Sequence, residues 1–445
     1  MPTVVLLGTL DTKAVEYAYM RDVLMENGCD VVTVNAGVMS DPAYPVDFGR
    51  EDVAAAAGFD IHDLVDTGDR GHAVTTMAEG AAKVLESLWR QGCLDGVLGA
   101  GGSGGSSIIG HAMQRLPIGV PKVLVSTMAS GDVQAYMGAV DIMITYSVVD
   151  IAGINTISSE VLGNAAVGVA AMAKAHAARV HTENDRPVVG ATMYGTTTPC
   201  VNRARAHLEQ RGYEVLVFHA TGAGGRSMER LMREGRITAV LDITTSELID
   251  EVAGGLLTAG PERLDTAGEL GIPQVISLGG ADQITFRGPG TVPDRFAGRT
   301  VYAHNSSVTL VRSNADECAA LGELIGAKVN RSTGPVTVFI PLRGTSTYAV
   351  EGGVFHDPDA DAALVASLEA SLQPSVELVL MDTDINDPEF GLAMARRLDE
   401  HYHTWKHRRD SPRHEDDAES MADPSAAVQD TTQHTIEHAE HAKGA

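Results

Sequence analysis

The stretch LDGVLGAGGSGGSS, residues 94–107, joins a short apolar run to a cluster of glycines and serines. Residues 96–98 are typical of a buried strand, and residues 108–116 have the apolar spacing of a helix. A strand that turns through glycines into a helix directs backbone N–H groups at one point, where the helix dipole adds positive potential. Because glycine lacks a Cβ, a ligand can approach the backbone closely. The stretch therefore predicts an α/β fold with an anion site, most often a phosphate site.

The pattern G-x-G-x-x-G is matched by Gly99, Gly101 and Gly104. Dinucleotide-binding proteins usually carry an acidic residue about 20 residues further on, at the end of the next strand. Here the next apolar run, residues 121–125, ends without Asp or Glu, and no Lys follows the glycines as in a P-loop. Two interpretations remain, a tight turn that packs a helix on a sheet and a phosphate cradle of non-standard type. We favour the cradle.

Composition and charge exclude several classes of protein. A chain of 445 residues with 44% hydrophobic residues is long enough for two globular domains. Its net charge of −26 disfavours a nucleic-acid partner, since a polyanion would be repelled. No apolar run reaches the roughly 18 residues of a membrane span. The 4 cysteines are scattered, as in proteins of a reducing cytoplasm. We therefore expect a cytoplasmic protein that binds neither membrane nor nucleic acid.

The first 180 residues form a series of strands and helices. Apolar runs at 4–7 and 30–34 flank a helix, a spacing that predicts a parallel βαβ unit. An amphipathic helix over 72–91 leads to the glycine stretch, and strands are predicted at 121–125 and 140–144. Residues 151–178 predict a long helix that is apolar nearly all round, which is typical of a buried helix between domains or subunits.

A polar linker near residues 176–187 precedes a second series, assigned to a domain over 187–402. Strands are predicted at 188–191, 214–218, 239–241, 274–277, 300–303, 336–340 and 377–380. Nearly every one ends in a polar, glycine-bearing cluster. In open parallel sheets that edge binds ligands, so we expect two Rossmann-like domains with mostly parallel sheets facing an interdomain cleft.

The last segment, residues 403–445, is polar, acidic and poor in large apolar residues. It is also rich in histidine. Its composition predicts a disordered tail, and the alternative is a segment that captures metal ions through its histidines.

The loop after the first strand, together with two later loops, holds the candidate cofactor ligands. Lys13 would hold a phosphate as a point charge, and Asp11 or Thr12 could hold Mg²⁺ directly or through water. The alternative is that Asp11 or Thr12 caps the first helix. The full predicted set is Thr9, Asp11, Thr12, Lys13, Gly101, Gly102, Ser103, Gly104, Gly105, Ser106, Ser126, Thr127, Ser130 and Gly131.

Candidate catalytic residues lie in the second series, after predicted strands. His219 could act as a general base beside Glu247, Asp282, His304 or Asp384. The alternative is a histidine that is hydrogen-bonded to a loop carbonyl.

These motifs together resemble the Tm-1-like ATP-binding family over about residues 4–398. The resemblance is carried by GTLDTK (8–13), GAGGSGGS (99–106), STMASG (126–131), YSVVDIAG (146–153), TTPC (197–200), HATG (219–222) and IND (385–387). It implies two Rossmann-like domains, ATP bound by the first, and a homodimer. Some members are fused to, or encoded beside, a TIM-barrel domain, which implies a TIM-barrel partner. The chain departs from the family at GADQITF (280–286), where members tend to end in Met-Val-Asn-Phe.

The predicted function is an ATP-dependent step, such as phosphoryl or adenylyl transfer, on a small acidic metabolite in the interdomain cleft. One alternative is a non-enzymatic, nucleotide-regulated module that binds another protein. A second is a nucleotide-independent hydrolase or lyase centred on His219 and His304.

Overall fold

The structure, a computed structural model, describes residues 1–179 and 186–410. Within residues 1–179, five strands pair in parallel in the order β2-β1-β3-β4-β5. The apolar runs of the sequence form these strands because a parallel sheet is covered on both faces. Their bounds are β1 (Thr3–Gly8), β2 (Asp30–Asn35), β3 (Gly96–Gly101), β4 (Lys122–Ser126) and β5 (Met143–Tyr146).

Helices cover both faces of this sheet. On one face α1 and α7 pack against the strands, and on the other α2, α4 and α5 do so. The helices in this part of the chain are α1 (Leu10–Glu26), α2 (Arg50–Ala57), α3 (Ile61–Asp66), α4 (Arg70–Arg90), α5 (Ser103–Gln114), α6 (Gln134–Met137) and α7 (Thr156–Ala177).

The long apolar helix is buried on one side only. Leu162, Ala166 and Val169 of α7 pack against the sheet, whereas Ile157 and Val167 are 41% and 46% exposed. One face of α7 is thus open within a single chain, and burial of that face between subunits stays a prediction. By length and composition, α7 is the one helix in the described residues that would suffice to cross a membrane, and 39% of its most apolar window is buried.

Within residues 186–410, six strands form a second parallel sheet in the order β14-β13-β9-β8-β6-β7, and three more form an antiparallel sheet. This confirms the predicted α/β class with two mostly parallel sheets. The strands are β6 (Val188–Met193), β7 (Glu214–His219), β8 (Ala239–Thr244), β9 (Gln274–Gly279), β10 (Gln283–Phe286), β11 (Val301–Ala303), β12 (Thr309–Arg312), β13 (Val336–Pro341) and β14 (Glu377–Met381).

The second sheet is also covered on both faces. Helices α8 and α14 pack on one face, and α10, α12 and α13 pack on the other. The helices are α8 (Thr198–Gln210), α9 (Ala223–Arg233), α10 (Ser246–Ala253), α11 (Thr266–Glu269), α12 (Ala315–Val329), α13 (Pro358–Ser371) and α14 (Pro388–Asp410).

The small antiparallel sheet, in the order β10-β12-β11, corrects one predicted strand. Residues 300–303 were expected to join the parallel series, but β11 pairs antiparallel with β12. Only residues 304–308 separate these strands, and a parallel pair needs a crossover of a dozen or more residues. The sequence pattern did not predict β10 or β12.

The two halves of the chain meet where α9 contacts the C-terminal end of α5. Arg230 donates to the carbonyl oxygens of Gln114 and Leu116, and Arg236 donates to that of Ile118 at 3.1 Å. A cation therefore lies at the negative end of the α5 dipole, an arrangement that is favourable by itself.

The predicted disordered tail begins too early in the chain. Residues 403–410 are helical, as the last part of α14. Trp405 in this segment packs against the domain core, and its Nε1 donates to the carbonyl oxygen of Gly271 at 2.7 Å. One aromatic anchor therefore extends the helix beyond the point where the apolar composition falls. Residues 411–445 lie outside the described part of the chain.

Candidate functional site

A crevice lies at one edge of the N-terminal sheet because the strand order reverses there. β1 stands between β2 and β3, and the helices that follow β1 and β3 cover opposite faces. Ligands of open α/β sheets bind at such a reversal, outside the carboxyl ends of the strands. A cavity of about 510 Å³ lies at this position.

Four segments of the chain build the cavity. They are the start of α1 with Thr9 before it, the loop after β2, the region of α3 and α4, and the N-terminus of α5. The lining residues are Thr9, Asp11, Thr12, Lys13, Ala36, Gly37, Val38, Met39, Leu64, Val65, Gly68, Asp69, Arg70, Ala73, Val74, Gly102, Ser103, Gly104, Gly105 and Ile108.

The N-terminus of α5 opens into the cavity without a side-chain cap. Gly102 precedes the helix in extended conformation, and no side chain in the described part of the chain bonds the first N–H groups. A Cβ on Gly102 or Gly104 would have its nearest neighbour 3.8 Å away, and one on Gly105 would have it at 3.7 Å. The first N–H groups of a helix have no partner within it. This end of α5 is therefore suited to bind an anion.

Two glycines of the same stretch serve packing. A Cβ on Gly99 would lie 2.6 Å from Ile109 Cγ2, and one on Gly101 would lie 3.0 Å from Gly105 Cα. Both are buried in β3, and neither lines the cavity. The match to G-x-G-x-x-G therefore mixes two packing glycines with Gly104, which is half-buried and lines the cavity.

The serines predicted to bind the cofactor beyond these glycines lie behind the N-terminus of α5, inside the protein. Ser106 and Ser126 are fully buried, and their hydroxyl oxygens lie 2.6 Å apart. Thr127 reaches the rear of Gly102, with its Oγ1 3.8 Å from the position of a Cβ there. None of these residues lines the cavity, and neither does Ser130 or Gly131 in the loop after β4.

Lys13 lines the cavity, but its ammonium group is already bound. Its Nζ donates to the carbonyl oxygen of Ile151 at 2.6 Å. The backbone of Lys13 also leaves helical geometry, with φ −131° and ψ 29°. Thr9 and Thr12 lie beside it, and their hydroxyl oxygens are 3.4 Å apart.

Asp11 is turned towards the loop after β2. Its Oδ2 accepts from the N–H groups of Val38 and Met39, both at 3.1 Å. Its Oδ1 is buried without a hydrogen-bond partner among the described residues. The carboxylate is therefore engaged with the loop after β2, and its second oxygen is covered by the protein.

Sequence reasoning missed Arg70 and the apolar wall. Arg70 begins α4, and its Nη2 lies 3.8 Å from where a Cβ on Gly104 would stand. Within the described residues its guanidinium has no ion-pair partner. Leu64, Val65 and Val74 line the same side of the cavity. The DRGH stretch at the start of the amphipathic helix was the available signal.

The described residues offer few side chains that could bind a metal ion. Within residues 1–179 and 186–410, no group of three or more His, Cys, Asp or Glu is arranged to hold a metal ion. A magnesium ion would therefore need phosphate oxygens as ligands, beside one carboxylate such as that of Asp11.

The C-terminal domain repeats the strand order, with the reversal between β6 and β8. There the glycine-rich loop before α9 already binds a carboxylate of the protein itself, that of Glu247. Oε1 of Glu247 accepts from Gly222 N at 2.7 Å and from Gly225 N at 3.0 Å. Its Oε2 accepts from Arg263 at 2.7 Å, and Arg263 also pairs with Asp242. Glu247 is fully buried in this network and does not face a cavity with the histidines.

The candidate histidines are exposed at the same edge of the second domain. His219 Nδ1 lies 3.2 Å from the carbonyl oxygen of Met193, and its ring stacks on Tyr194 at 5.4 Å. This contact resembles the alternative, a histidine hydrogen-bonded to a backbone carbonyl, although the carbonyl is that of the last residue of β6. His304 Nδ1 lies 3.0 Å from the hydroxyl of Tyr348. Burial and the neighbouring phenol of Tyr302 raise the pKa of Tyr348, so it is a neutral partner.

Two further acids of this domain serve local structure. Asp384 Oδ1 accepts from Asn386 N at 2.8 Å, and the Asn386 side chain donates to the carbonyl oxygen of Thr196. Asp282 is buried and accepts from the hydroxyls of Thr345 and Ser346. Asp384 is thus linked through Asn386 to Thr196, just after β6 where the strand order reverses. Asp282 is buried.

A second cavity, of about 570 Å³, lies between β13 and α13. Its floor is apolar, and Arg343, Glu351 and Asp361 stand among its lining residues. Each of the two cavities is lined by a single domain, so the predicted interdomain cleft stays a prediction.

Comparison with known proteins gives matches over both domains. Residues 2–178 match the N-terminal domain, and residues 186–402 the C-terminal domain, of the Uncharacterised protein family (UPF0261). A UPF0261 protein of Clostridium tetani is 44% identical over 396 residues, which cover 89% of this chain and 98% of that protein. UPF0261 protein mlr3387 of Mesorhizobium japonicum is 40% identical, over 90% of this chain and 99% of its own.

A plant protein and a solved structure extend the comparison. ToMV resistance protein Tm-1(GCR237) of Solanum lycopersicum is 40% identical over 330 residues, 73% of this chain but 44% of the tomato protein. The glycosyltransferase VinC in complex with DTDP covers 89% of this chain and 100% of its own, at 12% identity and a TM-score of 0.19. That score is too low to support an argument about fold or function. The matches to both domains and to the tomato protein show that the chain belongs to the Tm-1-like UPF0261 family.

Proposed function

We propose that the N-terminal domain binds ATP in the cavity between β1 and β3. The observation that carries the proposal is the uncapped N-terminus of α5, which opens through Gly102, Gly104 and Gly105 into that cavity. The guanidinium of Arg70, which has no ion-pair partner in residues 1–179 and 186–410, stands beside it and would supply the positive charge that a polyphosphate requires. A volume of about 510 Å³ is within the usual range for small-molecule sites.

The rest of the cavity suits a nucleoside. Leu64, Val65 and Val74 supply an apolar wall against which a planar base can pack. Magnesium would enter with the triphosphate, because the cavity offers too few carboxylates to bind the ion alone. Lys13 would approach a phosphate only after it releases the carbonyl oxygen of Ile151.

Titration of the full chain with MgATP by calorimetry tests the proposal. We expect one molecule of ATP per chain, since Glu247 occupies the corresponding loop of the second domain. Failure to bind ATP at millimolar concentration would refute it.

We further propose an ATP-dependent reaction on a small acidic metabolite, with His219 and His304 as proton carriers. Their exposure at the ligand edge of the second sheet supports this role. Glu247 would act only by holding the loop that follows His219. The test is ATP consumption with pools of carboxylic and phosphorylated metabolites, on wild type and His219→Ala. Turnover without ATP would favour a hydrolase or lyase, and no turnover would favour a protein-binding module.

We also propose a homodimer through the outer face of β5 and α7. Met143 and Tyr146 on the edge strand are 58% and 45% exposed, and Val167 on the helix is 46% exposed. A group of exposed apolar side chains is typical of an interface, and an edge strand has unpaired backbone groups that can pair with a second copy. Light scattering should find a dimer for wild type and a monomer for Val167→Glu. A monomeric wild type would contradict the proposal.

A cytoplasmic location accords with the cysteines, since Cys29, Cys93, Cys200 and Cys318 are all free thiols within the described ranges. A TIM-barrel partner stays a prediction from the family resemblance. Co-purification from the native host would test it.

A further inference from the structure

The second cavity, of about 570 Å³, has an apolar floor at the carboxyl end of the second parallel sheet. Leu278 of β9 and Ile340 of β13 line it from the sheet, and Leu364 lines it from α13. All three residues are buried. Ligands of open α/β sheets bind outside the carboxyl ends of the strands, and a cavity of this size suits a small molecule. The floor therefore fits the hydrocarbon part of such a molecule.

One carboxylate oxygen in this cavity has no partner in the protein. Asp361 of α13 accepts from Arg312 Nη2 at 2.5 Å, through Oδ1. Within the described ranges its Oδ2 has no hydrogen-bond partner, and the side chain, which is 25% exposed, lines the cavity. The Arg312 guanidinium is also held by the carbonyl oxygens of Ser313 and Phe355. Arg312 therefore fixes the carboxylate and leaves Oδ2 available to a donor in the cavity.

The charges around the cavity favour a cationic ligand. Among the described residues that line it, one guanidinium, that of Arg343, stands against three carboxylates, those of Glu351, Asp361 and Glu369. The guanidinium of Arg343 is already paired with Asp382 at 2.6 Å. An anionic ligand would therefore meet carboxylates and find the nearest guanidinium engaged, whereas a cation would be attracted.

The start of α13 does not provide an anion site either. Asp357 caps the helix by accepting from Ala360 N at 3.1 Å, and Pro358 at the first helical position has no N–H. Burial raises the pKa of Asp361 to about 6 in spite of Arg312, so ionisation of this carboxyl carries a cost. A cation beside Oδ2 would reduce that cost.

We propose that this cavity binds a small alkylammonium compound. Its ammonium group donates to Asp361 Oδ2, and its hydrocarbon part packs on the floor formed by Leu278, Ile340 and Leu364. A simple amine fits better than an amino acid, whose carboxylate would be repelled by the acidic residues of the cavity. The site lies in the second domain, so it does not depend on the proposed ATP site.

Calorimetry on the full chain at neutral pH tests the proposal with n-hexylamine, 1-hexanol and hexanoate, which share a hydrocarbon chain and differ in charge. Wild type should bind the ammonium form about tenfold or more tightly than 1-hexanol, with hexanoate weakest. n-Butylamine should bind about tenfold more weakly than n-hexylamine, because two fewer CH₂ groups are buried. Equal affinity for the amine and the alcohol, a preference for hexanoate, or no binding of n-hexylamine would each overturn the proposal. Equal affinity for the two amines would overturn the role of the apolar floor.

Asp361→Asn keeps the shape of the side chain and removes its charge. The preference for n-hexylamine over 1-hexanol should therefore disappear. The matched control is Asp359→Asn, an exposed carboxylate in the first turn of the same helix that does not line the cavity, and it should keep the preference. A folded Asp361→Asn variant that retains the preference would overturn the assignment. Thermal denaturation of each variant checks that it is folded.

Asp361→Asn also removes the ion partner of the buried Arg312, so a second variant leaves that pair intact. Ala366→Phe adds a ring to a residue of α13 that lines the cavity, and it should weaken n-hexylamine and 1-hexanol alike by about tenfold or more. Ala370→Phe, exposed one turn further along and outside the cavity lining, is its control. Wild-type affinity for n-hexylamine in Ala366→Phe would place the binding elsewhere and refute the proposal, whether or not Asp361→Asn folds.

Discussion

Arg263 Nε lies 2.7 Å from Glu247 Oε2, and both side chains are fully buried. Because Gly222 and Gly225 donate to the other oxygen of Glu247, the pair fastens the glycine-rich loop of the second domain from inside. The protein thus places its own carboxylate where the first domain leaves room for a ligand.

Removal of this carboxylate should be severe. Glu247→Ala leaves Arg263 buried beside fewer anions, and loss of one partner of a buried pair typically costs about 3–5 kcal/mol. Urea unfolding measures the change in the free energy of unfolding. The control is His219→Ala, an exposed side chain that should change stability by about 0.5 kcal/mol or less. Equal stability of both variants would contradict the structural role of Glu247.

Two glycines between β3 and α5 of the first domain should respond differently to substitution. Gly104→Val should keep the fold and weaken ATP more than tenfold, because the new side chain enters the open space before α5. Gly101→Val should lower the thermal midpoint instead, because its Cβ would meet Gly105 at 3.0 Å. Calorimetry and circular dichroism separate the two effects. Wild-type affinity in Gly104→Val would mean that the phosphate lies elsewhere.

Arg70 should matter for phosphate and not for the nucleoside. Arg70→Ala removes a guanidinium that stands beside Gly104, so ATP affinity should fall about tenfold or more while adenosine affinity changes little. Arg90→Ala, at the exposed far end of the same helix, is the matched control. A parallel loss of ATP and adenosine affinity would indicate damage to the cavity as a whole.

Trp405 should contribute to stability although its segment looks like a tail in sequence. Trp405→Ala removes the hydrogen bond to Gly271 and the packing of the indole, which we expect to cost about 1–3 kcal/mol. The thermal midpoint should fall by several degrees. Trp89→Ala, whose ring is 39% exposed on α4, should have a smaller effect. An unchanged thermal midpoint in Trp405→Ala would mean that this segment does not contribute to stability.

His401 should make the second domain sensitive to acid. Burial, with the charge of Arg397, lowers the pKa of His401 in spite of the nearby Glu377 and Glu400, and its Nε2 lies 2.7 Å from Thr337 Oγ1. Because the folded pKa is below the unfolded value near 6.5, the unfolded chain binds more protons, and stability is lost as pH falls below about 6.5. The thermal midpoint should therefore differ less between pH 7 and pH 5 in His401→Gln than it does in wild type. The exposed His62→Gln is the control, and an unchanged difference in His401→Gln would exclude this residue.

Much of the architecture was determined by sequence alone. Short continuous apolar runs such as Val4 to Leu7 are typical of strands covered on both faces, and their alternation with helices favours parallel sheets. Glycines at the start of α5 leave backbone N–H groups uncovered, so a cavity at this helix start was also predictable, whereas its anion stays a proposal. These properties follow from local patterning and need no knowledge of distant contacts.

The roles of individual side chains were decided only by the tertiary structure. Asp11 meets the loop after β2, Arg70 meets Gly104, and Glu247 enters the loop at Gly222, each across more than 20 residues of chain. Nothing local distinguishes an acid that faces a cavity from one that fastens a buried loop. Strand order and helix packing bring such residues together, so only the folded chain assigns Asp11 to the cavity and Glu247 to the core.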